Sequence, residues 1–210
     1  LRVATTSSPY TLDPTQFPVA TREIIIHVFE TLVAFDENFQ IVPDLASSWE
    51  ISDDGLTYTF YLRRDIRFHN GDEMAAEDVK ASIERFHLVG QRKTSLDVVE
   101  SVEIVDDYTI RISLKEPEGA FLATLASPLG QLAIMPKEVV EGAPRERVEP
   151  VGTGPYYVAE WIPDRHTILR RFEDYQPYGD KPSGLSGLKA AYLDEIIFLP
   201  VPNASTRVIG

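Results

Sequence analysis

The chain has 210 residues, enough for one large domain or two small ones with a real core. Its 33 acidic against 20 basic residues leave a formal net charge of −13, which argues against nucleic acid as the main partner and against charge-driven docking on an anionic membrane. The absence of cysteine excludes disulfides, thiolate metal sites and a cysteine nucleophile, and no apolar run approaches the roughly 20 residues that span a bilayer.

Residues 1–6 read as a strand that opens the chain without a signal peptide, so any export signal is expected to have been removed upstream. A stretch rich in Pro and Thr follows. Residues 21–32 are expected to form a helix with Ile25, Val28, Phe29 and Leu32 as its apolar stripe. Residues 48–51 and 57–62 alternate polar and apolar across a turn at Asp53-Asp54-Gly55, which predicts a hairpin. A helix over 76–88 turns Val79, Ile83 and Phe86 inward; Ala75 stands where a Ser or Thr cap is expected, and Asp78 suits the helix's positive end. A second hairpin joins 102–105 to 109–114, short helices are expected at 120–126 and 137–141, and a third hairpin joins 156–161 to 167–171 through Pro163-Asp164. After a loop over 176–187, residues 193–199 form a strong strand. Asn203 then opens like a helix cap shortly before Gly210, so the chain is expected to be a fragment of something longer.

No G-x-S-x-G, no H-E-x-x-H and no serine beside a plausible base occurs, and the Asp53-Asp54 and Asp106-Asp107 pairs sit in turns. Neither catalysis nor a metal or other cofactor is expected. Gly152-Thr153-Gly154-Pro155 permits positive φ or close backbone approach; a structural role and proximity of Thr153 or Tyr156 to a ligand both stand. His69-Asn70-Gly71-Asp72 carries the Asn-Gly turn signal, and His69 has no His or Cys at metal-ligand spacing. His27 lies one position off its helix's apolar stripe and is expected on a rim.

The order of segments resembles the large extracellular solute-binding proteins of the peptide/nickel class, which serve oligopeptide, dipeptide and nickel ABC importers. The resemblance is carried by Thr11-Leu12-Asp13-Pro14, residues 28–36, 41–50, 53–60 and 62–72, Ala76-Glu77-Asp78-Val79, Gly152-Thr153-Gly154-Pro155-Tyr156 and residues 202–207, in that order. Ala75 departs from the family's usual Thr or Ser, and Tyr175-Gln176 from its frequent aromatic pair.

The resemblance implies an α/β fold: a periplasmic-binding-protein-like type II lobe with a mixed sheet and an inserted β-rich subdomain. Residues 1–45 and 151–210 would form the split, incomplete first lobe and 46–150 the insert, with the second lobe absent from this chain. It implies a non-catalytic receptor that captures a solute, first of all a peptide, between two hinged lobes. Its partners would be that small-molecule or peptide ligand and the permease subunits of an ABC transporter, without nucleic acid. Its place would be periplasmic or cell-surface, with lipid anchoring through an upstream residue as one form. A sensor or chaperone-like receptor of the same fold, and a hydrolase with catalytic residues elsewhere, are the competing readings. The residues expected to face ligand are Tyr10, Phe17, Arg22, Ser127, Gln131, Thr153 and Tyr156. Family members place the stretch between Leu12-Asp13-Pro14 and Phe29-Glu30, and the loop at 126–131, beside the cleft. Aromatics with a guanidinium suit a peptide backbone or a carboxylate. The competing reading packs Phe17 under its loop and sets Arg22 on a surface carboxylate.

Overall fold

A computed structural model describes residues 1–16, 21–128, 132–203 and 205. Strand β1 (Arg2–Thr5) leads through an irregular segment to helix α1 (Arg22–Val28), which buries Ile24, Ile25 and Val28. This helix is shorter than its apolar stripe predicts. Phe29 turns extended at φ −122°, ψ 150°, because the groups beyond it are claimed by distant backbone. Glu30 O accepts Ile134 N–H, Thr31 O accepts Leu45 N–H, and Leu32 O accepts both Asp44 and Ala46 N–H. Tertiary bonds outcompete the last helical turn.

Next come a short ribbon, β2 (Val33–Phe35) with β3 (Ile41–Pro43), and the expected hairpin of β4 (Ala46–Ile51) with β5 (Thr57–Leu62). Helix α2 (Ala76–Val89) solves its missing cap with Asp78, whose carboxylate accepts the Ala75 and Lys137 N–H groups, each at 2.8 Å. Strands β6 (Val99–Asp106) and β7 (Thr109–Leu114) form the second hairpin; α3 (Phe121–Ala126) and α4 (Lys137–Gly142) follow. The third hairpin is β8 (Tyr156–Ile162) with β9 (His166–Arg171). The two-residue strands β10 (Pro182–Ser183) and β11 (Ser186–Gly187) pair within the long loop before β12 (Glu195–Pro200).

Two four-stranded sheets organise the chain. One is mixed, ordered β1-β12-β9-β8, with β1 parallel to β12 and the other pairs antiparallel. The other is wholly antiparallel, ordered β4-β5-β7-β6. Its inward face alternates as period two requires: Tyr58, Phe60 and Leu62 from β5 lie buried with Ile110, Ile112 and Leu114 from β7. Val79, Ile83 and Phe86 of α2 join that core. The mixed sheet builds a second core from Leu169, Ile196 and Phe198 with Ile24, Ile25, Val28 and Phe29. Each such fully buried side chain contributes about 1.5–3 kcal/mol of transfer free energy. Ala81 of α2 packs into the second core, so α2 lies between the two.

Candidate functional site

The segment after β1 starts near the surface and then turns inward, burying Thr11, Leu12, Asp13 and Thr15, and four anchors fix it. Ser8 Oγ accepts Asp164 N–H from the β8–β9 turn at 2.8 Å. Arg147 donates to Tyr10 O at 2.9 Å while its guanidinium lies 5.2 Å from the Tyr10 ring centroid. Gln91 N–H donates to Thr15 O at 3.1 Å. The strongest anchor is Asp13. Its two carboxylate oxygens take Arg85 Nη1 at 3.1 Å and Nη2 at 2.6 Å, with both side chains buried. Thr15 and Val148 N–H groups and the Thr15 hydroxyl also donate to that carboxylate, and Arg85 gives a further bond to Glu146 O. A buried charge pair needs such bonding, and of the Arg85 donors only Nε has no partner among the described residues.

These contacts draw the segment beside the turn that follows α2. Arg92 and Ser95 from that turn line a hollow of about 200 Å³ with Thr124 and Ser127 at the end of α3. Tyr10 is half exposed, and Arg22 stands partly exposed at the first turn of α1 with no ion pair to another described residue. Tyr10 and Arg147 thus pair an aromatic ring with a guanidinium on this segment, and Arg92 brings a second cation to the hollow beside Ser127. Phe17 and Gln131 lie outside the described residues.

Thr153 and Tyr156 lie elsewhere. Thr153 is 1% exposed, and its hydroxyl has no hydrogen-bond partner among the described residues. Tyr156 is buried at the start of β8; its hydroxyl accepts Leu193 N–H, and its ring meets the His27 ring edge-on at 5.9 Å. Tyr156 and His27 line a separate, largely apolar groove of about 750 Å³ with Val3, Ile196, Phe198 and Tyr192. His27, expected on the surface or a rim, is half-buried, with its ring against Tyr156 and Phe198. Neither Thr153 nor Tyr156 lines the hollow that holds Ser127.

The Gly152-Thr153-Gly154 return owes its glycines to close approach, since neither takes positive φ. A Cβ on Gly154 would meet His27 O at 2.6 Å and Val28 C at 2.7 Å; one on Gly152 would overlap Val28 O. The return docks backbone to backbone on the end of α1, with Gly154 N–H donating to Val28 O at 3.0 Å. His69 fastens its other side, accepting Gly152 N–H at Nδ1 and donating from Nε2 to Gly154 O at 2.9 Å.

Sequence reasoning missed Arg85 and the group in which Tyr175 and Lys189 meet the buried carboxylates of Glu30 and Asp44. For Arg85 a local signal existed: a basic side chain directly before Phe86, on the inward side of α2. Lys189 lies in a loop without periodicity and offered none.

Three comparisons bear on this architecture. The model of the bacterial extracellular solute-binding proteins, family 5 Middle, matches residues 40–209. The chain belongs to that family. It is 31% identical over 211 residues to the glutathione-binding protein GsiB of Salmonella choleraesuis (strain SC-B67), covering 98% of this chain and 39% of that protein. It superposes with a TM-score of 0.82 and 32% identity on the periplasmic binding protein DppA of Helicobacter pylori in complex with the peptide STSA, covering 100% of this chain and 44% of that one. NikA of Brucella suis in complex with Fe(III)-EDTA gives a TM-score of 0.86 at 28% identity, with 100% and 41% covered. The chain therefore spans about two fifths of the length of these family 5 relatives. The expected α/β fold with a mixed sheet is the fold found.

Proposed function

We propose that this chain supplies one wall of the ligand cleft in an extracytoplasmic receptor that captures a small solute, first of all a peptide, and hands it to the permease subunits of an ABC importer. The observation that carries the reading is the superposition of the whole chain on a family member whose structure holds a peptide. On this reading residues 1–45 with 151–210 form a split lobe and 46–150 an insert. The placement of β1, β8, β9 and β12 in one sheet, and of β4 to β7 in another, supports that division. The ligand-facing wall is the stretch bearing Tyr10, Arg22 and Ser127, together with Phe17 and Gln131. Thr153 and Tyr156, both buried and away from the hollow that holds Ser127, stand apart from this wall. The wall holds and does not cleave: its cationic and aromatic groups bind a carboxylate or a peptide backbone.

The test uses the full-length protein, purified without denaturation and examined by native mass spectrometry, then titrated calorimetrically with di- to tetrapeptides and glutathione. Co-purifying peptide or micromolar peptide binding without turnover is expected. Peptide hydrolysis, or retention of a metal chelate or sugar with no peptide affinity, overturns the reading.

A further inference from the structure

The segment between β9 and β12 carries no regular structure beyond the β10–β11 pair, yet it is tied firmly to the β2–β3 ribbon. Leu185 N–H donates to Phe35 O at 2.8 Å, and the Ser186 hydroxyl donates to Pro43 O. Gly184, at φ +60°, sits so close to the backbone of Phe35, Asp36 and Glu37 that any Cβ would overlap it. At the end of this docked stretch, Lys189 reaches inward between two buried carboxylates. Its Nζ lies 2.8 Å from Glu30 Oε1 and 2.8 and 2.9 Å from the two Asp44 oxygens. The Tyr175 hydroxyl, from the same segment, donates to Glu30 Oε1 at 2.8 Å.

We propose that Lys189, Asp44, Glu30 and Tyr175 form a proton-dependent latch that holds the 172–193 segment against the β2–β3 ribbon. One ammonium, itself partly exposed, faces two carboxylates that are almost wholly buried, so ionising both leaves a buried negative charge that one counter-ion does not balance. A proton on the second carboxylate removes that charge. Asp44 is the group that takes it. Burial pushes it up, the Lys189 charge pulls it down and the Glu30 charge pushes it up again, leaving it at about 7. Burial pulls Lys189 down, but the Asp44 and Glu30 charges outweigh it, and it stays an ammonium. The other charged or titratable groups facing the site are Arg63, which binds the Gln176 and Pro177 carbonyls, and neutral His69.

The sign follows from linkage. The latched state holds the Asp44 proton more tightly than the opened state, so latching is strongest in acid and weakens as pH rises from about 4 to about 7. Leu185, Leu188 and Tyr192 of the same segment line the apolar groove of about 750 Å³, so release of the latch loosens one side of that groove.

The test is amide hydrogen exchange of Leu185 and Leu188, whose N–H groups bond Phe35 O and Lys181 O, corrected for the intrinsic pH dependence of exchange. Opening at these amides is expected to rise about tenfold between pH 6 and pH 8, and in Asp44→Asn to lose its pH dependence. A pH-independent opening in the unaltered protein, or the same tenfold rise in Asp44→Asn, overturns the latch. Carbon-13 NMR of the Asp44 carboxyl in the unaltered protein decides the matter if the variant fails to fold: titration near 7 supports the latch, and titration below 5 sinks it.

Discussion

His69 donates from Nε2 to Gly154 O and accepts Gly152 N–H at Nδ1, so one imidazole closes both ends of the glycine return. That pair of bonds admits only the neutral ring with its proton on Nε2. Burial pulls the His69 pKa down to about 4, with the Gly154 bond and the Glu30 charge opposing. The folded chain then binds this proton less readily than the unfolded chain. Stability from His69 is fully present above about 6.5 and declines as pH falls from there to about 4, by up to about 3 kcal/mol. Urea denaturation of the unaltered protein and His69→Ala over that range checks this. The variant should start about 2 kcal/mol less stable at neutral pH, having lost both bonds and the edge contact with Phe172 at 5.0 Å, and should show a flatter acid limb.

The Asp13–Arg85 pair is expected to behave as a buried ion pair does when halved. Arg85→Met strands a carboxylate and Asp13→Asn weakens a guanidinium's hold, and each should cost about 3–5 kcal/mol. The double variant should recover part of that loss, which a double-mutant cycle by chemical denaturation measures. Equal, additive losses would mean that the two residues act separately.

Gly154→Ala is expected to destabilise by more than about 2 kcal/mol. The new methyl meets main-chain atoms of His27 and Val28 and not a side chain able to swing aside. Thermal unfolding reads the effect, and an Ala variant as stable as the parent would refute the docking of the return on α1.

For ligand capture, Arg22→Ala and Tyr10→Ala in the full-length protein should each weaken peptide binding about tenfold, or about 1.4 kcal/mol. Unfolding should be unchanged in Arg22→Ala and stability lowered by about 1 kcal/mol in Tyr10→Ala, which loses the Arg147 contact. Calorimetry alongside a melting curve separates the two quantities. Unaltered affinity in both variants would remove this stretch from the cleft wall. Thr153→Val should leave affinity intact, since its hydroxyl is buried with no hydrogen-bond partner among the described residues.

Much of the fold was legible because its signals are local. Alternation over 48–51, 57–62 and 109–114 can bury only one face of a strand, and Val79, Ile83 and Phe86 share one face of any helix that contains them. Helix α1 shows the limit: the stripe at 25, 28, 29 and 32 is genuine, but Glu30, Thr31 and Leu32 meet backbone from Leu45, Asp44 and Ile134 and leave the helix. Similarly, Gly152 and Gly154 were visible as a point of close approach, while the partner that approaches, the end of α1, was not.

Three hairpins, the α2 stripe, the turns and the ordered motifs that mark family 5 were therefore determined by the sequence alone, since each rests on neighbours a few residues apart. The tertiary structure alone decided which charges are paired. Lys189 meets Asp44 across 145 residues and Glu30 across 159, and Arg85 meets Asp13 across 72. No periodicity encodes such encounters: buried charges are matched by the path of the whole chain, under the requirement that none be left in the interior without a partner.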